Sequence, residues 1–389
     1  MPVAMARKRT DLAIVNRSFW PQDQVIGEGL MQFAERAAQH ISVCVITQSG
    51  VDLATLFASA GRGERVQVRA CKSYTTSASS LFKRIFEALY FMFWVFVSLV
   101  RSKPSNVYVS TNPPVVVPFI VALYCRLFGA RYVYHLQDIH PEAANIVVPL
   151  NGLLFKFLQV VDNFTLRHAD SIITLSEDMK SYIRERSGTE RPIHLLENPS
   201  FEVAHVPTPQ RPNDIVFCGN AGRLQRIPLL MTAIRDYLQQ GGKLRFTFAG
   251  GGVHAKDINA LASAYEQVDY LGVIPASAAA ELVSQHRWAL LPIEDEVTKY
   301  AFPSKSSGYA LSGAGVLAIC GEDTSVARWV NQFKVGIVCP ADHIALVRCF
   351  FSLEGREMDS FLIDAEVLEK LKIPHFADQL FRLAVPDSP

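Results

Sequence analysis

Short unbroken apolar runs recur along this chain, each followed by a stretch of helical periodicity, and no other feature narrows the fold as much. In the first half the runs are Asp11–Val15, Ile41–Thr47, Val66–Cys71, Asn106–Val109, Arg131–Leu136, Ser171–Leu175 and His194–Leu196. In the second they are Ile215–Cys218, Leu244–Ala249, Val268–Leu271, Trp288–Leu291, Val316–Ile319 and Val335–Val338. Strands that are apolar throughout are buried on both faces, and alternation with helices makes their sheets parallel. Between Pro199 and Pro212 lie four prolines and little periodicity, which predicts a domain boundary. A length of 389 residues suits two domains. Two such domains would face each other across a cleft at the C-terminal edges of their sheets, where open α/β sheets bind ligands.

Charge narrows the partners. With 38 basic and 37 acidic residues, no global field recruits nucleic acid. The seven cysteines lack CxxC spacing and several fall in apolar runs, so they read as buried thiols in a reducing compartment. Arg7-Lys8-Arg9 precedes only a short apolar run, too short for a secretory signal. Ala88–Val100 is thirteen uncharged residues rich in aromatics, preceded by Lys83 and Arg84 and followed by Arg101 and Lys103. A membrane span needs roughly 20 apolar residues, so no crossing is expected. The pattern suits the headgroup boundary of an anionic membrane, or else a buried helix of the first domain.

The second half places glycines and cations at strand ends. After Ile215–Cys218 come Gly219, Gly222, Arg223 and Arg226, then a helical pattern over Leu229–Leu238. Glycines let backbone N–H groups approach an anion, and the helix N-terminus and arginines add positive charge. Alternatively this is an ordinary strand–turn–helix link. Phe248–Gly252 ends in three glycines, Tyr270–Val273 contains Gly272, and Phe302–Gly308 sets Lys305 at the start of a helix as a second anion-friendly terminus.

These segments and their order resemble the GT-B retaining glycosyltransferases of family 4, most closely the branch that builds bacterial surface polysaccharides and includes fucosamine and N-acetylhexosamine transferases. The resemblance covers nearly the whole chain. It rests on Thr111-Asn-Pro-Pro114, Asp138-Ile-His-Pro-Glu142, Ala169–Ser176 and Glu197-Asn-Pro199 in the first half. In the second it rests on Gly219–Gln225, Ala249–Gly252, Leu271-Gly-Val273 and Pro303-Ser-Lys305.

The resemblance implies two Rossmann-like domains, over 1–200 and 201–360, with a C-terminal helix in 361–389 returning toward the first. It implies a nucleotide-sugar donor, read as UDP-linked, a glycan acceptor on a polyprenyl-diphosphate lipid, and a site at the inner membrane surface. No metal or other cofactor is expected. Gly222, Arg223, Gly251, Ser304 and Lys305 would hold the donor, with Arg226 as a further cation; Gly272 and Val273 would lie beside the base. Asp138 and Glu142 would be catalytic, with Asp138 on the donor sugar or acceptor hydroxyl, unless both only cap the helix after Pro141. Gly27 and Gly29 would form the first-strand loop near the phosphates and acceptor. His135 and His140 are poorly spaced for a metal, His168 reads as structural, Arg226 could equally be solvated, and Glu294–Glu296 reads as a surface acidic turn.

One departure stands out. Family members carry two glutamates where this chain has Tyr300 and Gly308. The second holds the nucleotide ribose, a charged contact of about 1–3 kcal/mol; Glu322 or another acid would have to replace it. A sugar-nucleotide epimerase on the same fold and a non-catalytic subunit of a polysaccharide assembly are the competing readings.

Overall fold

The computed structural model describes residues 9–75, 80–203, 211, 213–354 and 363–386. The chain forms two compact units. One runs to Leu196 and resumes at Ile373; the other is Glu197–Lys372. The expected bounds stood at 200 and 360. Most of the proline-rich segment (204–210 and 212) and residues 361 and 362 lie outside the described residues.

The first unit is a seven-stranded sheet of β1 (Leu12–Val15), β2 (Val43–Ser49), β3 (Val66–Lys72), β4 (Asn106–Ser110), β5 (Arg131–His135), β6 (Ser171–Thr174) and β7 (Ile193–Leu195). Its order is β3-β2-β1-β4-β5-β6-β7 and every pairing is parallel. All residues of β1 and β2 are buried, including the polar end of β2, Thr47, Gln48 and Ser49. The helix Ile26–Ala38 buries Leu30, Met31, Phe33, Ala34 and Ala37 at three- and four-residue spacing. The C-terminal helix Ile373–Ala384 lies beside it and inserts Phe376, Ala377, Leu380 and Ala384 into the same core. Arg36 pairs with Asp378 there, and His40 stacks on Phe381 at 5.7 Å.

The aromatic segment forms part of a longer helix, Leu81–Ser102. By length and composition Phe82–Ser102 could cross a membrane. It nevertheless packs against β2, β3 and the helix Val116–Phe128, burying Glu87, Phe91, Val95, Ser98 and Leu99. The helix Gly152–His168 flanks Val116–Phe128 on its other side.

The second unit is a six-stranded sheet of β8 (Asn213–Cys218), β9 (Phe246–Ala249), β10 (Val268–Tyr270), β11 (His286–Pro292), β12 (Gly315–Ile319) and β13 (Gly336–Cys339). Its order is β10-β9-β8-β11-β12-β13, again parallel throughout. In both sheets the order reverses beside the first strand of the unit. That switch point opens a crevice at the C-terminal strand ends, between the loops after β1 and β4 and between those after β8 and β11.

Candidate donor site

In the second unit, backbone hydrogen bonds lace the segments after β8, β9 and β10 into one layer. Gly219 N–H donates to Ala249 O (2.9 Å), Ala221 N–H to Gly251 O (2.7 Å) and Gly250 N–H to Gly272 O (2.6 Å). The Tyr270 hydroxyl donates to Gly250 O at 2.9 Å. Such packing leaves no room for side chains at two positions. A Cβ on Gly250, whose φ is +126°, would stand 1.9 Å from Gly219 O. One on Gly252, at φ +138°, would stand 2.4 Å from Ala221 O. Gly222 and Gly251 are less constrained: their Cβ positions meet the ends of Gln225 and Asn220, and Val273 Cγ2 at 3.1 Å. Gly272 has open space around it and Val273 is exposed, so these two form an open lip on the layer.

Lys305 reaches this layer from the far side of β8. Its ammonium would lie 3.1 Å from a Cβ on Gly219 and sits 4.1 Å from the Phe217 ring centroid. The ammonium is buried and has no hydrogen-bond acceptor. Loss of solvent pulls its pKa down to about 8. Tyr309 anchors the segment, accepting from Cys218 N–H (3.2 Å) and donating to Cys218 O (2.9 Å). The helix that follows, Ser306–Leu311, has only six residues, so the positive charge here belongs to the ammonium and not to a helix terminus. Ser304 is exposed beside it.

The two arginines part ways. Arg223 is exposed and has no partner among the described residues. Arg226 is neither solvated nor free. It is the N-cap of the helix Ile227–Gln239, donates from Nε to Ile293 O (2.8 Å), and pairs with Glu294 (3.2 Å) and Asp295 (2.9 Å). The acidic turn is therefore a clamp. Glu294 N–H also donates to Leu224 O, and Asp295 accepts from Gly321 N–H, both at 2.9 Å. Neither the pairing nor the clamp was legible in the sequence, because nearly seventy residues separate its halves.

The positions of the missing glutamates look different in the fold. A Cβ on Gly308 would stand 3.0 Å from Ser200 Oγ, so any side chain there must move that serine. Glu322 is exposed, and no contact ties it to the layer. A carboxyl overlooked in the sequence is Glu197. It accepts from Trp329 Nε1 (3.1 Å), and burial pushes its pKa up to about 7. Its place in the Glu197-Asn-Pro199 motif was the available signal.

In the first unit the two expected catalytic carboxylates have unlike surroundings. Asp138, just past β5, is half-buried with no partner among the described residues, and desolvation lifts its pKa to about 6. Glu142 opens the helix Glu142–Val147 and is consumed by structure. Its oxygens accept from Arg186 (2.8 Å), Gln159 (2.7 Å) and Tyr182 (2.8 Å), and Arg186 also pairs with buried Asp162. Gly27 and Gly29 are not in a loop. Asp23 Oδ1 accepts from Val25 N–H (3.1 Å) and Ile26 N–H (3.0 Å), so the helix starts at Ile26 and buries both glycines. A Cβ on Gly27 would stand 2.8 Å from Trp20 N. The residues actually following β1 are Asn16, Arg17 and Ser18.

The histidines are structural. His135 Nδ1 lies 2.7 Å from Tyr108 Oη, and burial drives its pKa to about 3 and that of His140 to about 4. His168 Nδ1 lies 2.8 Å from Phe164 O and its ring packs on Phe164. Among the described residues no cluster of His, Cys, Asp and Glu could hold a metal ion.

Two parallel Rossmann-like sheets in one chain, with a glycine layer at the switch point of the second, define the GT-B architecture. Residues 27–199 match the family model described as a glycosyl transferase 4-like domain. Over 267 residues the chain is 24% identical to the probable glycosyltransferase WbjE of Pseudomonas aeruginosa, a match spanning 64% of this chain and 66% of that protein. Among solved structures, HepE from Anabaena in complex with UDP superposes with a TM-score of 0.65 at 14% identity, covering 96% of this chain and 99% of that one. Sucrose-phosphate synthase from Thermosynechococcus elongatus superposes at 0.70 and 15% identity, covering 96% and 98%. These likenesses share one fold and support a glycosyltransferase.

Proposed function

We propose that the protein is a retaining glycosyltransferase that needs no metal. It moves a sugar from a UDP-linked donor to a glycan on a polyprenyl-diphosphate lipid at the inner face of the cytoplasmic membrane, in surface-polysaccharide synthesis. One observation carries the reading: a buried, unpaired Lys305 ammonium beside a glycine layer built for close backbone approach. The departing nucleotide diphosphate gains negative charge in the transition state, and a fixed cation in a low-dielectric site stabilises that charge most effectively. Exposed Arg223 supplies the second charge, and Arg226 shapes the loop that carries it. UDP in the complex of the similar Anabaena protein favours a uridine donor.

The leaving phosphate would accept the acceptor's proton on the face it vacates, so the sugar keeps its configuration. Asp138 would contact the donor sugar or the acceptor hydroxyl, while Glu142 and its Arg186 partner hold the helix beside it. The lipid acceptor is supported by an unusual surface. Phe82, Ile85, Phe86, Leu89 and Phe93 are exposed along one face of the helix Leu81–Ser102, with Lys83 and Arg84 at its start. Leu153, Leu154, Phe157 and Val160 are exposed along the helix Gly152–His168, beside Lys156. Between them Leu127 and Phe128 end the helix Val116–Phe128. Exposed apolar side chains mixed with cations suit an anionic bilayer surface.

The test is incubation of the full chain with UDP-sugars and a polyprenyl-diphosphate-linked glycan. Transfer supports the reading. An epimerised donor without transfer would replace it with an epimerase. Absence of UDP binding, with Arg223→Ala indistinguishable from the parent, would leave a non-catalytic subunit.

A further inference from the structure

The first unit has its own charged crevice at the switch point, unclaimed by the donor. A cavity of about 300 Å³ opens there, and every residue lining it is polar or charged. Arg17 and Ser18 come from the loop after β1, Gln48 from β2, Thr75 from the loop after β3, and Asn112 from the loop after β4. Arg84 comes from the first turn of the helix Leu81–Ser102. No carboxylate lines the cavity.

One buried carboxylate behind the wall organises it. Glu87 accepts from Arg17 Nη2 (2.6 Å), Tyr74 N–H (2.5 Å), Thr75 N–H (3.1 Å) and Gln48 Nε2 (3.2 Å). It thereby fixes Arg17 and the start of the loop after β3, Ser73–Thr75, in one arrangement. Arg17 Nε also donates to Gln48 Oε1 (2.8 Å), and its N–H bonds to Asn112 O (3.0 Å). Arg17 and Glu87 neutralise each other, so Arg84 leaves the cavity with a net positive charge. It stands one turn before Glu87 on the helix, is exposed at the cavity wall, and has no carboxylate partner among the described residues. One uncompensated arginine beside a second held by Glu87, among neutral donors and with no carboxylate on the cavity wall, favours phosphate groups.

The same stretch carries the most exposed aromatics among the described residues. Phe82 (87% exposed) and Phe86 (75%) stand two positions either side of Arg84, on the opposite face of the helix, and Tyr74 (69%), next to Thr75, contacts Tyr90. Nothing aromatic or apolar lines the cavity itself to hold a nucleobase.

We propose that this cavity binds the phosphate groups of an isoprenoid diphosphate, with the hydrocarbon chain leaving over Phe82 and Phe86 into the bilayer. The proposal rests on the lipid-linked acceptor reading above and assigns that acceptor's phosphates to Arg17 and Arg84. The test is calorimetric titration of the full chain with farnesyl diphosphate, inorganic pyrophosphate and farnesol, each with and without UDP. Arg84 is exposed, so Arg84→Gln should fold normally. It should weaken farnesyl diphosphate at least tenfold while UDP affinity stays within twofold of the parent. Phe86→Ser should weaken farnesyl diphosphate and leave pyrophosphate unchanged.

Unaltered farnesyl diphosphate binding in Arg84→Gln overturns the assignment, as does farnesol binding as tightly as its diphosphate. Pyrophosphate binding as tightly as farnesyl diphosphate, with Phe86→Ser silent, would mark a site for free phosphate and overturn the lipid assignment. If UDP fails to bind the parent, the donor reading falls alone, since the Arg84→Gln comparison does not depend on it.

Discussion

The Lys305 ammonium sits 4.1 Å from the centroid of the Phe217 ring, and no hydrogen-bond acceptor among the described residues meets it. A cation–π contact of this kind contributes on the order of 1–2 kcal/mol, less than the desolvation of an ammonium costs. Lys305→Met should therefore stabilise the protein by roughly 1–3 kcal/mol, as removal of an unpaired buried charge does. It should also weaken UDP at least tenfold. Thermal unfolding and calorimetry of one variant check both, and a loss of stability would show that the ammonium is paired in solution.

The same lysine makes donor binding depend on pH. Its pKa is lowered to about 8 in the free protein, and a diphosphate beside it would raise it again. Near pH 8.5 UDP should bind with uptake of up to one proton, and affinity should fall as pH rises through 8. Titrations in two buffers of different ionisation heat measure the uptake, which Lys305→Met should abolish.

Gly250→Ala should cost more than about 3 kcal/mol and abolish donor binding. It combines an unfavourable φ with a Cβ 1.9 Å from the Gly219 carbonyl. Gly272→Ala meets no atom within 4 Å, but its φ of +66° should still cost about 1 kcal/mol. Denaturant unfolding of the two variants should show this difference, and equal losses would argue against the close backbone layer.

Asp138 titrates near 6, above the ordinary carboxyl value, so the native state holds its proton more tightly than the unfolded chain. This contribution to stability is present at low pH and is lost as pH rises from about 4 through 6. Asp138→Asn should match the parent near pH 4 and exceed it in stability above pH 6. Its turnover should fall at least tenfold at neutral pH. Unchanged turnover would remove Asp138 from the reaction.

Arg186→Met should destabilise by about 3–5 kcal/mol, because it strands Glu142 and Asp162 as buried carboxylates without their cation. Glu142→Gln should be milder, keeping the hydrogen bonds to Gln159 and Tyr182, and should leave the pH profile of turnover unchanged. A shifted profile would return Glu142 to the reaction.

The fold was largely legible because unbroken apolar strands admit few arrangements: thirteen runs became thirteen parallel strands, with no end shifted by more than two residues. The close backbone layer was legible where a residue's backbone role shows in its type, as at the three glycines that end Phe248–Gly252. It was not legible where the decisive partner is distant in sequence. The sequence left Arg226 between a donor cation and a solvated side chain, and Glu142 between a catalytic acid and a cap; neither reading foresaw the ion pairs to Glu294 and Asp295 or to Arg186. Gly27 was misplaced because Asp23 starts the helix earlier than apolar spacing suggested. The crevice at Arg17 and Arg84 depends on Glu87, which in sequence is one acid in an aromatic helix.

The first unit is discontinuous. The groove beside Leu30 and Phe33 is filled by Phe376 and Leu380, which follow the whole second unit in the sequence. During synthesis the first two hundred residues must wait with an unfilled core while the second unit, continuous in sequence, can close on itself. A chain cut before Ile373 would keep that apolar groove open to water and invite the aggregation that exposed cores cause.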